Sequence, residues 1–367
     1  MKFCFYGSGI FNALNGNPAG GSELQIALIA RALSEKGHHV TLIENSGNGT
    51  EMHIGDITVL FTAKSNIKGL RFIIQKIPNT LRYLLQTKAD FYYIRGFSTI
   101  YLIVAFVAWK LNSKLILGLA TDIDVLNFKR RFRYVFRTRT STQNWLKNDL
   151  PASFAGAFLL KKADFIFVQH TNQQKALSEK RLKSIIFPNI ILPNSIQPKV
   201  QCSDYFVYVG SLNERKGLRD LLKTLEYDNK IKIKIIGQPQ GTDAIEKTKL
   251  FKNYPNVQYF GQMSREAVLA EIQTSKGLLN FSKMEGFPNT FLEAWSFGVS
   301  VYSLWVDPGE VIEKFQLGKC FAGDINSMTA FITSIKTKGP SERIIEYVKL
   351  NHSFNNAADR LFLSISA

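Results

Sequence analysis

Apolar residues in this 367-residue chain fall in short runs, each followed by a stretch with helical spacing. Phe3–Tyr6 is the first run. Ser22–Lys36 then places Ile26, Ile29, Ala30 and Leu33 on one face of a helix. His39–Ile43, Asp90–Ile94, Lys114–Leu117 and Asp164–Val168 read as later strands. The second half repeats the habit at Tyr205–Val209, Lys232–Ile236, Val257–Phe260, Gly277–Asn280 and Val299–Ser303. Nearly continuous apolar strands separated by helices predict parallel sheets buried on both faces. Two such series, in a chain longer than one core usually supports, predict two doubly wound α/β units.

Between the series, Phe187-Pro188-Asn189 to Pro198-Lys199 carries three prolines and no clear period, the pattern of a hinge. The expected division is 1–195, 196–345 and a terminal helix over 346–367. The longest apolar stretch, Thr99 to Trp109, is broken by Lys110. It falls short of the roughly 20 residues a spanning helix needs, so it predicts a buried helix and no transmembrane segment. The opening run Met1–Gly7 is too short for a signal peptide. Cys4, Cys202 and Cys320 lie far apart, with no CxxC pair and no histidine at ligand spacing. They read as buried free thiols in a reducing cytoplasm.

Charge changes this ordinary picture. The net charge is +17, and residues 1–200 hold 26 Lys and Arg against 11 Asp and Glu, a balance of +15. Residues 201–367 hold 20 against 18. A positive first domain attracts phosphates: nucleic acid, an anionic membrane or a phosphorylated small substrate. No RRM, KH or zinc-finger signature accompanies the charge, which argues against nucleic acid.

Two loops carry candidate chemistry. After Gly7-Ser8-Gly9, the chain runs to Gly20-Gly21-Ser22-Glu23, where Ser22 and Gln25 have the spacing of a capping box and predict a helix start at Ser22. Paired glycines before a helix let backbone N–H groups approach an anion, though a tight turn without a ligand needs the same residues. The loop is neither GxGxxG nor a P-loop. The richer stretch is Glu285-Gly286-Phe287-Pro288-Asn289-Thr290-Phe291-Leu292-Glu293. A Gly-Phe-Pro turn leads into a helix, with one carboxylate before the turn and one about a turn inside. Carboxylates suit sugar and ribose hydroxyls because each accepts several hydrogen bonds.

The Glu285-x7-Glu293 string resembles the donor-site signature of retaining GT-B glycosyltransferases of family 4. Gly20-Gly21-Ser22-Glu23 with Gly37-His38-His39-Val40 is similar to the opening βαβ of that family, and Phe187-Pro188-Asn189 to its hinge. Tyr208-Val209-Gly210-Ser211-Leu212-Asn213-Glu214-Arg215-Lys216-Gly217 resembles its diphosphate loop, and Asp307-Pro308-Gly309 and Asp324 its late landmarks. The resemblance implies a GT-B fold: two facing Rossmann-like domains with a cleft between them, an acceptor domain first and a donor domain second, and a final helix crossing back. It implies a transferase moving a sugar, with retention, from a UDP- or GDP-sugar to a lipid-linked or polysaccharide acceptor. It assigns Glu293 to the ribose and Glu285 to the donor sugar. Lys216, with Arg215 beside it, pairs with the diphosphate. Phe287, Pro288, Asn289 and Thr290, with Gly20, Gly21 and Ser211, line the donor site. No cofactor and no obligatory metal are implied.

The chain departs from the family twice. Ser211 stands where an arginine is common, and Gly118-Leu119-Ala120-Thr121-Asp122-Ile123-Asp124 lacks the usual histidine. His170 is then the histidine left to reach an acceptor. Asp122 and Asp124 form a DxD, which in GT-A enzymes holds a divalent metal. That fold would leave the second series unexplained, so Asp122 and Asp124 are expected at the acceptor or cleft instead. Other GT-B chemistry, such as a sugar-nucleotide epimerase, is the nearest alternative. A pyridoxal-dependent phosphorylase would need a lysine context that is not seen. A basic nucleic-acid-binding protein is a further one.

Finally, residues 129–147 hold seven Lys or Arg and no acid, interleaved with Phe132, Tyr134, Phe136 and Trp145. Arg71, Phe72, Lys76, Arg82 and Tyr83 repeat the flavour more loosely. Such a segment predicts docking on an anionic membrane, against the alternative of a solvated basic helix. The expected location is therefore cytoplasmic, peripheral on the cytoplasmic membrane face.

Overall fold

The computed structural model describes residues 1–17, 19–45, 50–62, 70–137, 145–192, 203–227, 231–336 and 339–366. The chain divides into two compact units, Met1–Ile190 with Phe354–Ala367, and Ile191–Ser353.

The first unit is built on strands β1 (Lys2–Gly7), β2 (His39–Glu44), β3 (Glu51–Ile54), β4 (Ile57–Phe61), β5 (Phe91–Arg95), β6 (Lys114–Gly118), β7 (Phe165–Val168) and β8 (Ile185–Ile186). Among the described residues they form one eight-stranded sheet in the order β3-β4-β2-β1-β5-β6-β7-β8. Every pairing is parallel except β3 against β4. The β3–β4 hairpin was not read in the sequence. Its strands are short, and β3 is largely exposed to water, so its apolar signal is weak.

Strand β1 is apolar from Phe3 to Tyr6 because both of its faces are covered there. Cys4 and Tyr6 point into a core shared with Tyr92, Ile94, Leu115 and Leu117. On the opposite face Phe3 stacks on Phe91, with ring centroids 5.1 Å apart, and meets Phe362 edge-on. Burial pushes the Cys4 thiol up to about 12, so this thiol is an inert core side chain.

The helix after the first loop spans Gly21–Glu35, with Gly20 as its N-cap and no side-chain cap. The Ser22/Gln25 capping box does not form. Gln25 is buried and reaches Ile190 instead: its amide nitrogen donates to the Ile190 carbonyl (2.9 Å), and the Ile190 N–H donates to its oxygen (2.8 Å). Satisfying two buried backbone groups at the unit's exit outweighs one exposed cap. A second correction concerns Thr99–Trp109. It forms the helix Tyr101–Lys110, but only Val104, Ala105, Val107 and Ala108 are buried. Leu102, Phe106 and Trp109 face outward.

The second unit carries β9 (Phe206–Val209), β10 (Ile233–Ile236), β11 (Val257–Gly261), β12 (Gly277–Asn280), β13 (Val301–Ser303) and β14 (Gly318–Cys320). They form a parallel six-stranded sheet in the order β11-β10-β9-β12-β13-β14. The order reverses between β9 and β12, as it does between β1 and β5 in the first sheet. Trp295, Phe291 and Leu292 pack the helix Asn289–Ser296 onto the core, and the Trp295 indole N–H donates to the Leu317 carbonyl (3.0 Å).

In place of one terminal helix over 346–367 there are two. Glu342–Asn351 packs in the second unit, while Ala357–Ser366 returns to the first. There Asp359 pairs with Lys36 at 3.0 Å. The expected hinge is described only up to Leu192, and its remainder lies outside the described residues, as does Cys202.

Gln25→Leu keeps the volume but strands the Ile190 N–H and carbonyl in the interior. It should destabilise the protein by about 2 kcal/mol. The midpoint of urea unfolding reads this, and an unchanged midpoint would remove Gln25 from its bracing role.

Candidate functional site

In a parallel sheet every strand delivers its following loop to the same edge. Because β9 and β12 are neighbours, the loop after β9 meets the loop after β12. The approach is close. Gly217 has φ +75°, and a Cβ on it would fall 2.0 Å from the Phe281 carbonyl oxygen. Glycine alone satisfies both demands. The Lys283 N–H donates to the Arg215 carbonyl (3.1 Å), and Lys283 Nζ to Glu214 Oε1 (2.7 Å). The Asn213 side chain accepts from the Lys216 N–H (2.9 Å), closing a tight turn over Asn213–Gly217.

These constraints bring Lys216 and Glu285 together, and Lys216 Nζ donates to Glu285 Oε1. Two residues 69 positions apart in sequence thus form one ion pair, largely shielded from water. Ser211 Oγ accepts from Asn213 Nδ2 (3.2 Å), so the serine is part of the same loop's bracing. Arg215 is exposed.

Glu293 lies inside the helix Asn289–Ser296 and is buried. Its Oε1 pairs with Arg265 Nη2 at 2.9 Å. Burial raises the Glu293 pKa, and the Arg265 guanidinium counters that rise. Arg265 was not anticipated, yet the sequence held a signal. It opens the helix Arg265–Thr274, where a cation opposes the helix dipole. A charge in an unfavourable place is explained by a partner elsewhere, here the Glu293 carboxylate.

Pro288, Asn289 and Thr290 form the start of the Asn289–Ser296 helix and are partly exposed. Phe287 differs from expectation. Its ring is buried against Trp295 (6.0 Å) and His352 (4.8 Å), so it is core and holds the turn by its packing. Asp307 and Asp324 are helix caps: Asp307 accepts from the Ile312 N–H (2.8 Å) and Asp324 from the Ser327 N–H (3.0 Å).

The remaining expected residues lie in the first unit. Glu23 Oε2 folds over Gly20, where a Cβ would meet it at 2.3 Å. The Gly9 and Phe11 N–H groups donate to the buried Glu44 carboxylate, at 2.6 and 3.0 Å. The first loop's amides therefore already hold an anion supplied by the chain. Asp122 and His170 do meet: His170 Nε2 lies 3.0 Å from Asp122 Oδ1, which also accepts from Gln173 (2.9 Å). Asp124 plays a different part. Its Oδ2 accepts from the Ala120 and Thr121 N–H groups, closing a capping box with Thr121. Its Oδ1 faces Arg131 at 3.9 Å. Of the DxD pair, Asp122 is partly open and Asp124 is committed to the backbone. Among the described residues no group of three or more His, Cys, Asp or Glu is placed to hold a metal ion.

With this geometry in hand, comparisons with known proteins become informative. Residues 195–345 match the family described as Glycosyl transferases group 1. No curated protein matches the chain in sequence. Among solved structures, a sucrose-phosphate synthase from Thermosynechococcus elongatus superposes with a TM-score of 0.76 at 14% identity, covering 100% of this chain and 98% of its own. The lipopolysaccharide outer core galactosyltransferase WaaB gives 0.66 at 18% identity, covering 99% of each chain. Anabaena HepE, solved with UDP and glucose, gives 0.67 at 13% identity over the full length of both. At these identities the likeness is one of fold, and the fold is GT-B, with two Rossmann-like domains. The chain is a glycosyltransferase.

Two substitutions test the site's construction. Gly217→Ala should disorganise the Lys216 turn, reducing activity at least tenfold while leaving the far-UV circular dichroism unchanged. Arg265→Met leaves a buried carboxylate without its cation and should cost about 2 kcal/mol. Glu293 is already raised by burial, so the sign follows. The cost is small at acidic pH, where the unpaired carboxyl is protonated, and grows as pH rises and it must ionise. Urea unfolding at pH 5 and pH 8 reads this, and equal losses at both would detach Arg265 from Glu293.

Proposed function

We propose that this protein is a retaining glycosyltransferase of family 4, transferring a sugar from a UDP- or GDP-sugar to a lipid-linked or polysaccharide acceptor of a cell-surface glycan. The observation that carries the donor reading is the Lys216–Glu285 pair at the meeting of the two loops. A cation and a carboxylate held in contact there suit two adjoining parts of a nucleotide-sugar, the diphosphate and the sugar bonded to it. Lys216, with Arg215, neutralises the diphosphate as the bond from its oxygen to the anomeric carbon breaks, the task a metal performs elsewhere. Glu285 accepts hydrogen bonds from donor-sugar hydroxyls. Glu293, held by Arg265, accepts from the ribose hydroxyls. Amides at the start of the Asn289–Ser296 helix, with Asn289 and Thr290, face the phosphates. The acceptor oxygen attacks on the face the diphosphate leaves, and its proton passes to the leaving phosphate. That HepE was solved with UDP, and that WaaB builds lipopolysaccharide, supports this donor and acceptor class.

In the first unit, the Asp122–His170 pair is proposed to reach the acceptor. Gly20 and Gly21 are proposed to offer backbone N–H groups to the donor. An anionic membrane surface, reached through 129–147, is the proposed site of work, on the cytoplasmic face. No helix among the described residues is long and apolar enough to cross a membrane. Nucleic acid is not proposed as a partner.

Calorimetry with UDP and GDP separates the donors. Glu293→Ala should weaken nucleotide binding at least tenfold, whereas Glu285→Ala should spare binding and reduce kcat by a factor on the order of a hundred, the magnitude expected for a group acting mainly in the transition state. Wild-type nucleotide affinity in Glu293→Ala would remove the ribose assignment. Transfer is expected to survive EDTA. Its loss, with recovery in Mn²⁺, would return Asp122 and Asp124 to a metal.

A further inference from the structure

The outer surface of the first unit carries a feature that the donor chemistry does not use. The helices Tyr101–Lys110 and Leu150–Lys162 cover the same face of the first sheet, since Val104, Val107, Leu159 and Leu160 share one core. Their opposite sides must therefore face outward together. On an ordinary α/β unit those sides are polar. Here they carry Leu102, Phe106 and Trp109 on one helix and Phe154 and Phe158 on the other, with Trp109 76% exposed and Phe154 59%.

The helix Phe128–Arg137 extends the surface. Phe128 meets Phe154 at a ring distance of 4.9 Å, and Phe132 and Phe136 continue its row at spacings of four. All three remain partly exposed. Arg131 does not join the surface cations. It is buried, 4.4 Å over the Phe97 ring and facing Asp124, and it clamps the helix so that its phenylalanines lie outward. The cations that remain exposed are Lys110, Lys129, Arg130, Arg133, Arg137, Lys161 and Lys162. None of the three helices contains an acidic residue.

We propose that this three-helix aromatic platform inserts into the headgroup region of an anionic bilayer. The proposal deepens the membrane reading above and rests on it. It moves the attachment from the basic segment 129–147 to a surface whose apolar part lies largely on two other helices. Exposed aromatics ringed by cations match a bilayer interface, where rings sit at the acyl boundary and cations meet lipid phosphates. A soluble acidic acceptor would match the cations and leave the aromatics in water. A second copy of the chain would match the aromatics, but it would bring the same exposed cations, on three helices that contain no acidic residue, against these.

The test is flotation of the full chain with phosphatidylcholine vesicles containing 30 mol% phosphatidylglycerol, at low and high salt. Three proteins are compared: wild type, a triple variant Phe106→Ser, Trp109→Ser and Phe154→Ser, and a triple variant Arg130→Ser, Arg133→Ser and Arg137→Ser. The replaced side chains are exposed, and circular dichroism with retained UDP binding confirms that each variant is folded. Wild type should float, and the aromatic variant should bind about 100-fold more weakly. The arginine variant should lose a similar factor, chiefly at low salt. If the aromatic variant floats like wild type while the arginine variant does not, the platform is wrong and charge alone attaches segment 129–147. If wild type itself stays with the soluble fraction, the platform and the membrane reading fall together. Aromatic-dependent dimers in analytical ultracentrifugation, without flotation, would assign the surface to a second copy. UDP binding is read separately, so none of these outcomes bears on the donor site.

Discussion

The adjacency of β9 and β12 is the constraint on which the candidate site depends. A doubly wound sheet starts near its middle, winds to one side and then returns to the other. The two strands that flank the reversal send their loops in opposite directions across the sheet, which opens a crevice at their carboxyl ends. In the second unit those strands are β9 and β12, and the crevice is where Lys216 and Glu285 meet. The pair needs no special affinity between two distant segments. It follows from winding order, together with a backbone approach at Gly217 that only a glycine permits. The buried strands hold the geometry because they are apolar on both faces, and the loops carry chemistry because they have no core to form.

Charge is handled differently in the two units. The second unit balances its cations with acids. Lys216, Lys283 and Arg265 each face a carboxylate at the candidate site or beside it. Such pairs hold polar groups ready without leaving an uncompensated charge in a shielded place. The first unit keeps its cations largely unbalanced. It buries Arg95, which donates to the Tyr93 and Asn189 side chains, and Arg131, which meets Asp124 and an aromatic ring. The Arg131–Asp124 pair links two features of the sequence. The second aspartate of the DxD fixes the helix that carries the basic aromatic row.

The strand–helix alternation was legible because burial on both faces writes itself into sequence as unbroken apolar runs. The loop strings 208–217 and 285–293 were legible because their glycines, asparagines and charges sit at positions where geometry tolerates few substitutes. What escaped has physical reasons too. The β3–β4 hairpin is too exposed to show contrast. Gln25 has the spacing of a cap, and only the distant chain at Ile190 shows that its amide is needed elsewhere. Phe287 sits in a ligand-like string, yet its ring fills the core below the turn. Arg265 left a trace, a cation against a helix dipole, which becomes readable once such a misplacement is treated as evidence of a partner.

The helix Tyr101–Lys110 teaches the same lesson from the opposite side. Its sequence, YLIVAFVAWK, is apolar all round and therefore predicts complete burial. The sheet beneath can cover only one side of a helix, and the neighbouring helix covers part of the flank. The outward stripe is left with Leu102, Phe106 and Trp109, each exposed. A chain selected for folding alone has no reason to place a tryptophan there, since that surface stabilises nothing in the isolated unit. The uniform hydrophobicity that looked like a core signal is thus two stripes superposed: an inner one that folds the first unit, and an outer one that the first unit leaves exposed.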